Sequence, residues 1–229
     1  MKVIRSFYAF TLLLGLASCI KEDVISDEVK PAIRFTNPLQ SLALDDSYLL
    51  KATFTNTIGQ EESKMFTWSS SNDSIVAIDM EGKVTGKKKG ESIITVSTTL
   101  DTEIIEASTT VKVSDQTIEA NEPKKRTIVS TSSYELQGDF TLKKIQDQEF
   151  LELSIANNYV ASTALPGLYL YLTNNPNSIN GALEIGPVTV FSGEHSYSIS
   201  TQDATLNQYQ FLLYWCKPFS VKVGEGEIK

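Results

Sequence analysis

The sequence predicts an all-β protein, with two β-sandwich domains in tandem behind a cleaved leader. Three observations lead to this. Apolar residues alternate with period two in Leu50-x-Ala52-x-Phe54, Phe66-x-Trp68, Val111-x-Val113, Leu151-x-Leu153-x-Ile155 and Leu168-x-Leu170-x-Leu172, which gives each segment one core face and one wet face. Turn chemistry falls between these runs, at Asp45-Asp46, Glu81-Gly82, Asn174-Asn175-Pro176-Asn177 and Asn180-Gly181. No helical periodicity of useful length runs through residues 19–229, and many short strands with polar turns define sandwiches. A chain of 229 residues is one large or two small domains.

The leader comes first in chain order. Residues 1–18 carry Lys2 and Arg5, then the apolar run Phe7 to Leu16, and no acid. A basic start followed by an apolar run too short to span a bilayer reads as a signal peptide. The run closes on Leu16-Ala17-Ser18-Cys19, which resembles the lipobox of bacterial lipoproteins. That resemblance implies that Cys19 is lipidated and becomes the new N-terminus, so that the protein is tethered to a membrane. Several acyl chains on one Cys anchor firmly, at about 0.8 kcal/mol per buried CH2.

Residues 19–32 form an acidic tether. Its Lys21-Glu22-Asp23 resembles the lipoprotein export signal of one Gram-negative phylum, which implies an outer-membrane protein facing the outside; a periplasm-facing anchor is the alternative. The plainer account is a solvated linker, since a segment so low in apolar residues cannot order itself.

Charge and composition narrow the function. The chain has 20 Lys+Arg against 28 Asp+Glu, a formal charge of -8, which disfavours nucleic acid as a partner because phosphate binding needs a basic face. Two Cys and one His leave little from which to build a metal site or a His-based triad. No Gly-rich phosphate loop, Gly-x-Ser-x-Gly elbow or His-Glu-x-x-His occurs. Carboxylate pairs such as Asp45-Asp46 and Glu61-Glu62 sit in polar, turn-like stretches that solvation explains. No catalytic residue, metal or cofactor is expected on these grounds.

The first domain is expected at 33–114. Trp68-Ser69-Ser70-Ser71-Asn72-Asp73-Ser74-Ile75-Val76-Ala77-Ile78-Asp79, then Gly82-Lys83-Val84-Thr85-Gly86 and Gly90-Glu91-Ser92-Ile93-Ile94-Thr95-Val96, closely resemble the bacterial Ig-like domain of group 2. Trp68 can fill the centre of a small two-sheet core, and Gly82 and Gly86 suit positions that disfavour a Cβ. The resemblance implies a spacer or adhesion module on a bacterial surface. Lys87-Lys88-Lys89 reads as a solvated hairpin tip or a polyanion patch, and Asp73-Ser74-Ile75 also fits a short O-glycosylation pattern.

Residues 115–126, ending Glu122-Pro123-Lys124-Lys125-Arg126, lack apolar alternation and are read as a linker. The second domain follows at 127–229. Its Gly138-Asp139-Phe140, Pro166-Gly167-Leu168-Tyr169-Leu170-Tyr171-Leu172, Gly193-Glu194-His195-Ser196-Tyr197 and Tyr214-Trp215-Cys216-Lys217-Pro218-Phe219-Ser220-Val221-Lys222-Val223-Gly224 resemble the DM13 domain. The resemblance implies an extracytoplasmic β domain with a possible electron-transfer role, through the bare thiol of Cys216 or through haem or another bound prosthetic group. Gly167 stands where that family usually has an acid, and Gly226-Glu227-Ile228 matches its closing segment less well.

Independently of the family, Cys216 follows the apolar strand Phe211 to Trp215, on the face of Leu212 and Tyr214 and opposite Lys217. With Cys19 lipidated it is the sole remaining thiol, so no internal disulfide can form. A free Cys in such a strand is most often a small core hydrophobe; a reactive thiolate needs a cationic neighbour or another activator. His195, the one other candidate ligand, shares its strand face with Tyr197 and Ile199. The leading functional expectation is a non-catalytic surface protein that binds a glycan, a matrix or a protein ligand. The alternatives are a redox accessory module using Cys216 and a subunit of an outer-membrane complex.

Overall fold

A computed structural model describes residues 27–228. The leader, Cys19 and Lys21-Glu22-Asp23 lie outside the described residues. Every regular element is a β-strand apart from one 3-10 turn, Lys217–Phe219, so the all-β expectation holds.

The first half contains β1 (Ala32–Phe35), β2 (Leu39–Ala43), β3 (Ser47–Leu49), β4 (Ala52–Thr55), β5 (Glu61–Glu62) and β6 (Thr67–Ser70). It continues with β7 (Val76–Ile78), β8 (Lys83–Gly86), β9 (Gly90–Leu100), β10 (Glu103–Ser114) and β11 (Ile118–Glu119). They make three sheets, ordered β1-β4-β5, β11-β2-β10-β9-β6 and β3-β8-β7. Inward residues of these strands form two apolar clusters, one around Leu42, Val84, Ile94 and Val111 and one around Ile33, Phe54, Val96 and Ile105. Trp68 packs against both, 6.0 Å from the Phe35 ring and 6.3 Å from Phe66. It keeps part of its surface in solvent. Gly82 adopts φ +89°, and a Cβ there would stand 2.9 Å from the Trp68 ring, so both the backbone sign and the space demand glycine.

The second half contains β12 (Lys124–Ser130), β13 (Leu136–Lys144), β14 (Phe150–Ile155), β15 (Val160–Ala161) and β16 (Leu168–Thr173). After these come β17 (Leu183–Pro187), β18 (His195–Ser200), β19 (Phe211–Cys216) and β20 (Val221–Glu227). All belong to one nine-stranded sheet, ordered β17-β16-β19-β20-β12-β13-β14-β18 with β15 added on β13. Each pairing is antiparallel. The sheet wraps around a single core that includes Phe140, Leu153, Leu170, Leu212, Tyr214 and Cys216, which gives it a near-barrel form.

The stretch 115–126 differs from the linker expected of it. Ile118 pairs with Ser41 and extends the five-stranded sheet, and Lys124 to Arg126 pair with Leu142 to Phe140 as the start of β12. Hydrogen bonding to strands already in place supplies the order that alternation in the sequence did not announce.

The Asn174 to Asn177 turn is also placed differently from a solvated turn. Thr173, Asn174 and Asn175 are all buried. Asn175 Nδ2 donates to the Ile58 carbonyl at 3.0 Å and to the Asp27 carbonyl at 2.6 Å, both in the first half of the chain. Its Oδ1 accepts from the Asn177 amide at 2.9 Å. Gly59, at φ +79° in the β4–β5 turn, comes so close that a Cβ on it would stand 2.6 Å from Asn175 Cβ. Gln208 Nε2 donates to Glu61 at 3.0 Å, and Lys144 pairs with Glu119 at 3.5 Å across the same joint.

Removing the Asn175 amide leaves the Ile58 and Asp27 carbonyls, partly covered by the second half, without their donor. Asn175→Ala is therefore expected to destabilise the protein by about 1–3 kcal/mol, the usual range for orphaned buried polar groups, as measured by urea unfolding. A change smaller than about 0.3 kcal/mol contradicts the role of the joint.

Candidate functional site

Cys216 closes β19, opposite Leu168 of β16 and Val221 of β20. Its side chain is 1 % exposed and faces the core with Leu212 and Tyr214, while Leu213 and Trp215 face the other way into a separate small cluster. Period-two alternation thus places the thiol as expected. Lys217, the adjacent cation, is turned outward: its Nζ meets Glu184 at 2.8 Å and lies 4.6 Å from the Tyr169 ring centroid. It is engaged away from the thiol and supplies none of the activation a thiolate requires.

A buried aromatic group lies in the same core. The Tyr159 ring sits 5.0 Å from His195 and 6.1 Å from Tyr214, and His195 sits 5.5 Å from Tyr197. His195 Nδ1 is held by the Gly193 carbonyl at 3.0 Å. Its Nε2 and the hydroxyls of Tyr159 and Tyr214 are buried without hydrogen-bond partners among the described residues. The two phenols are near enough to influence each other's ionisation yet make no hydrogen bond of ordinary geometry. Burial, the larger cause, and this neighbour push Tyr214 well above the usual tyrosine range. The thiol is sealed in the core, while the partly buried His195 ring is flanked by Tyr159 and Tyr197. Among the described residues no group of three or more His, Cys, Asp or Glu side chains could hold a metal ion.

A cleft between the two halves is the feature that sequence reading missed. On β1, alternation sends Ile33 into the Ig-side core and Arg34 to the opposite face, where solvent would ordinarily be. Leu206, Asn207, Tyr209 and Gln210 from the second half instead line a cavity of about 270 Å3 with Arg34. Phe35, Pro38, Lys124 and Ile228 complete most of its wall. Arg34 is only 8 % exposed. Its Nη1 donates to Thr55 Oγ1 at 3.0 Å, while its buried Nε has no acceptor. Among the described residues no carboxylate stands within ion-pair distance; Glu61 acts on it only from farther away. Loss of hydration, partly offset by Glu61, lowers the guanidinium to about 10, so it remains a cation at neutral pH. The signal in the sequence was an Arg inside a strand otherwise made of Ala, Ile and Phe, and it becomes legible only when the second half is known to lie across it.

Comparison with known proteins agrees with the first half of this picture. Residues 30–103 match the family model of the bacterial Ig-like domain (group 2). That part of the chain is thus similar to a family of Ig-like domains that is generally non-catalytic. No curated protein matches the chain. Among the described residues no helix is long and apolar enough to cross a membrane.

Two outcomes follow from the buried groups. Cys216 is expected to react slowly with a thiol reagent in the native protein and quickly on unfolding. Cys216→Ala should cost about 1–2 kcal/mol and Cys216→Ser at least as much, since the latter buries a hydroxyl. Modification of native Cys216 within seconds contradicts its sealed position.

The second outcome concerns alkaline pH. Burial is the leading cause that raises Tyr48, Tyr159, Tyr171 and Tyr214 above the usual value of 10.0, with Glu119 adding to it at Tyr48 and Glu184 at Tyr171. A phenol raised in the folded state contributes stability that is fully present below its unfolded pKa and lost as pH rises toward the folded one. Burial raises Tyr197 and Tyr209 as well, and Arg34, lowered on folding, works in the opposite sense, one group against six phenols. Stability should therefore hold to about pH 9 and fall beyond about pH 10. Tyr214→Phe should weaken that fall and, because its hydroxyl is unpartnered, stay within about 1 kcal/mol of wild type at neutral pH. Denaturant titrations from pH 7 to 11 give both readings.

Proposed function

We propose that this protein is a non-catalytic lipoprotein of the outer membrane, held by lipid on Cys19 and facing the cell exterior, where it captures a ligand. In this reading the Ig-like half and a DM13-like half act together as a binding body, and the ligand is a glycan, a matrix component or a protein. The observation that carries the proposal is the joint. Asn175 and Gly59 lock the two halves together, and the lock leaves a cleft walled by both of them, a common setting for ligand sites. The sealed thiol of Cys216 and the engagement of Lys217 with Glu184 favour binding over redox use.

The test is made on cells. Cys19→Ala should release the protein from the membrane fraction or leave its precursor uncleaved. Alanine in place of Lys21, Glu22 and Asp23 should lower its accessibility to protease on intact cells without changing lipidation. A Cys19→Ala protein still found in membranes and still labelled by fatty acid overturns the anchor, and unchanged accessibility of the triple variant overturns the export signal.

A further inference from the structure

The cleft between the halves has a composition that selects its occupant. One side is apolar and aromatic, from Phe35, Pro38, Leu206 and Tyr209, while Asn207 and Gln210 bring amide groups. Two cations, Arg34 and Lys124, line the same space, and neither makes an ion pair among the described residues. An isolated cation that is nine-tenths buried is costly unless something satisfies it. Thr55 satisfies one corner of the Arg34 guanidinium, and Nε–H remains a donor without an acceptor. A guanidinium without a carboxylate partner is suited to pair with one. At about 270 Å3 the cavity lies just below the range of about 300–1,000 Å3 typical of drug-sized ligands, which restricts it to a single ring or a short aliphatic body.

We propose that this cleft binds a small carboxylate-bearing ligand with a one-ring body, the class to which the uronic-acid residues of acidic glycans belong. The carboxylate meets Arg34, with Lys124 as a second positive charge. The ring lies against Phe35 and Tyr209, and Asn207 and Gln210 reach its hydroxyls. Glu61, which already acts on Arg34 from beyond ion-pair distance, competes with the ligand charge. The inference rests on the reading of the protein as a binding body. Anchoring and exposure are measured on cells and ligand capture on purified protein, so either can fail while the other stands.

The experiment is isothermal titration of the full chain, purified from its own cells in mild detergent, with D-glucuronate, D-glucose and acetate. Glucuronate should bind one per protein, with glucose and acetate each at least tenfold weaker. Arg34→Gln should weaken glucuronate at least tenfold, as expected for loss of a hydrogen bond to a charged group. Lys124→Gln, at a half-exposed position, should weaken it more modestly, about threefold as for a partly screened charge. Glu61→Gln, which keeps a carbonyl to accept from Gln208, should tighten it. The opposite signs of Arg34→Gln and Glu61→Gln separate a charge effect from misfolding. Equal affinity for glucose, acetate binding as tight as glucuronate, no saturable binding at all, or weakening by Glu61→Gln each overturns the proposal.

Discussion

The side-chain amide of Asn175 connects parts of the chain that are otherwise far apart in sequence. Its nitrogen is shared between the carbonyls of Ile58 and Asp27, and its oxygen holds the Asn177 amide. A backbone carbonyl removed from water needs a donor, and here the donor comes from the other half of the molecule. That group, together with the Gln208–Glu61 and Lys144–Glu119 contacts, holds the β4–β5 turn on the loop after β16. The Ig-like face carrying Arg34 is then covered, and the cleft exists. Gly59 makes the approach possible by lacking a Cβ where Asn175 already stands.

Burial on this joint is of a different kind from burial in the two cores. Within each half, leucines, valines and aromatics meet on alternate residues, and the driving force is the removal of apolar area from water. Between the halves the buried groups include Arg34, Thr55, Thr173, Asn174 and Asn175. Polar groups contribute little net stability but are costly to leave unpaired, so such a joint fixes one relative arrangement more than it adds to stability.

The fold class was legible because strand alternation is a local property. Leu151, Leu153 and Ile155 all reach the core, as do Leu168, Leu170 and Leu172. Cys216 was legible for the same reason, since its face follows from its place in β19. The Ig-like motif around Trp68 and Gly82 could be read directly, because it spans contiguous residues. What stayed hidden were features made by distant partners. Residues 118–119 and 124–126 become strands only because β2 and β13 offer them hydrogen bonds. Asn174 and Asn175 carry ordinary turn chemistry, and nothing local says that the turn is covered. Arg34 reads as a solvent-facing residue of an edge strand until Tyr209 and Gln210 are placed across it.

The clip on Asp27 also sets a length scale. Asp27 lies eight residues after Cys19, and eight extended residues reach at most about 29 Å. On the anchoring proposed at Cys19, the chain would enter the folded body within about that distance of the lipid. Asn175 belongs to the C-terminal half and grips Asp27 itself, so both halves meet where the chain enters the folded body. The first half is therefore not a spacer between this end of the chain and the second half, because Asn175 meets the chain at Asp27 itself.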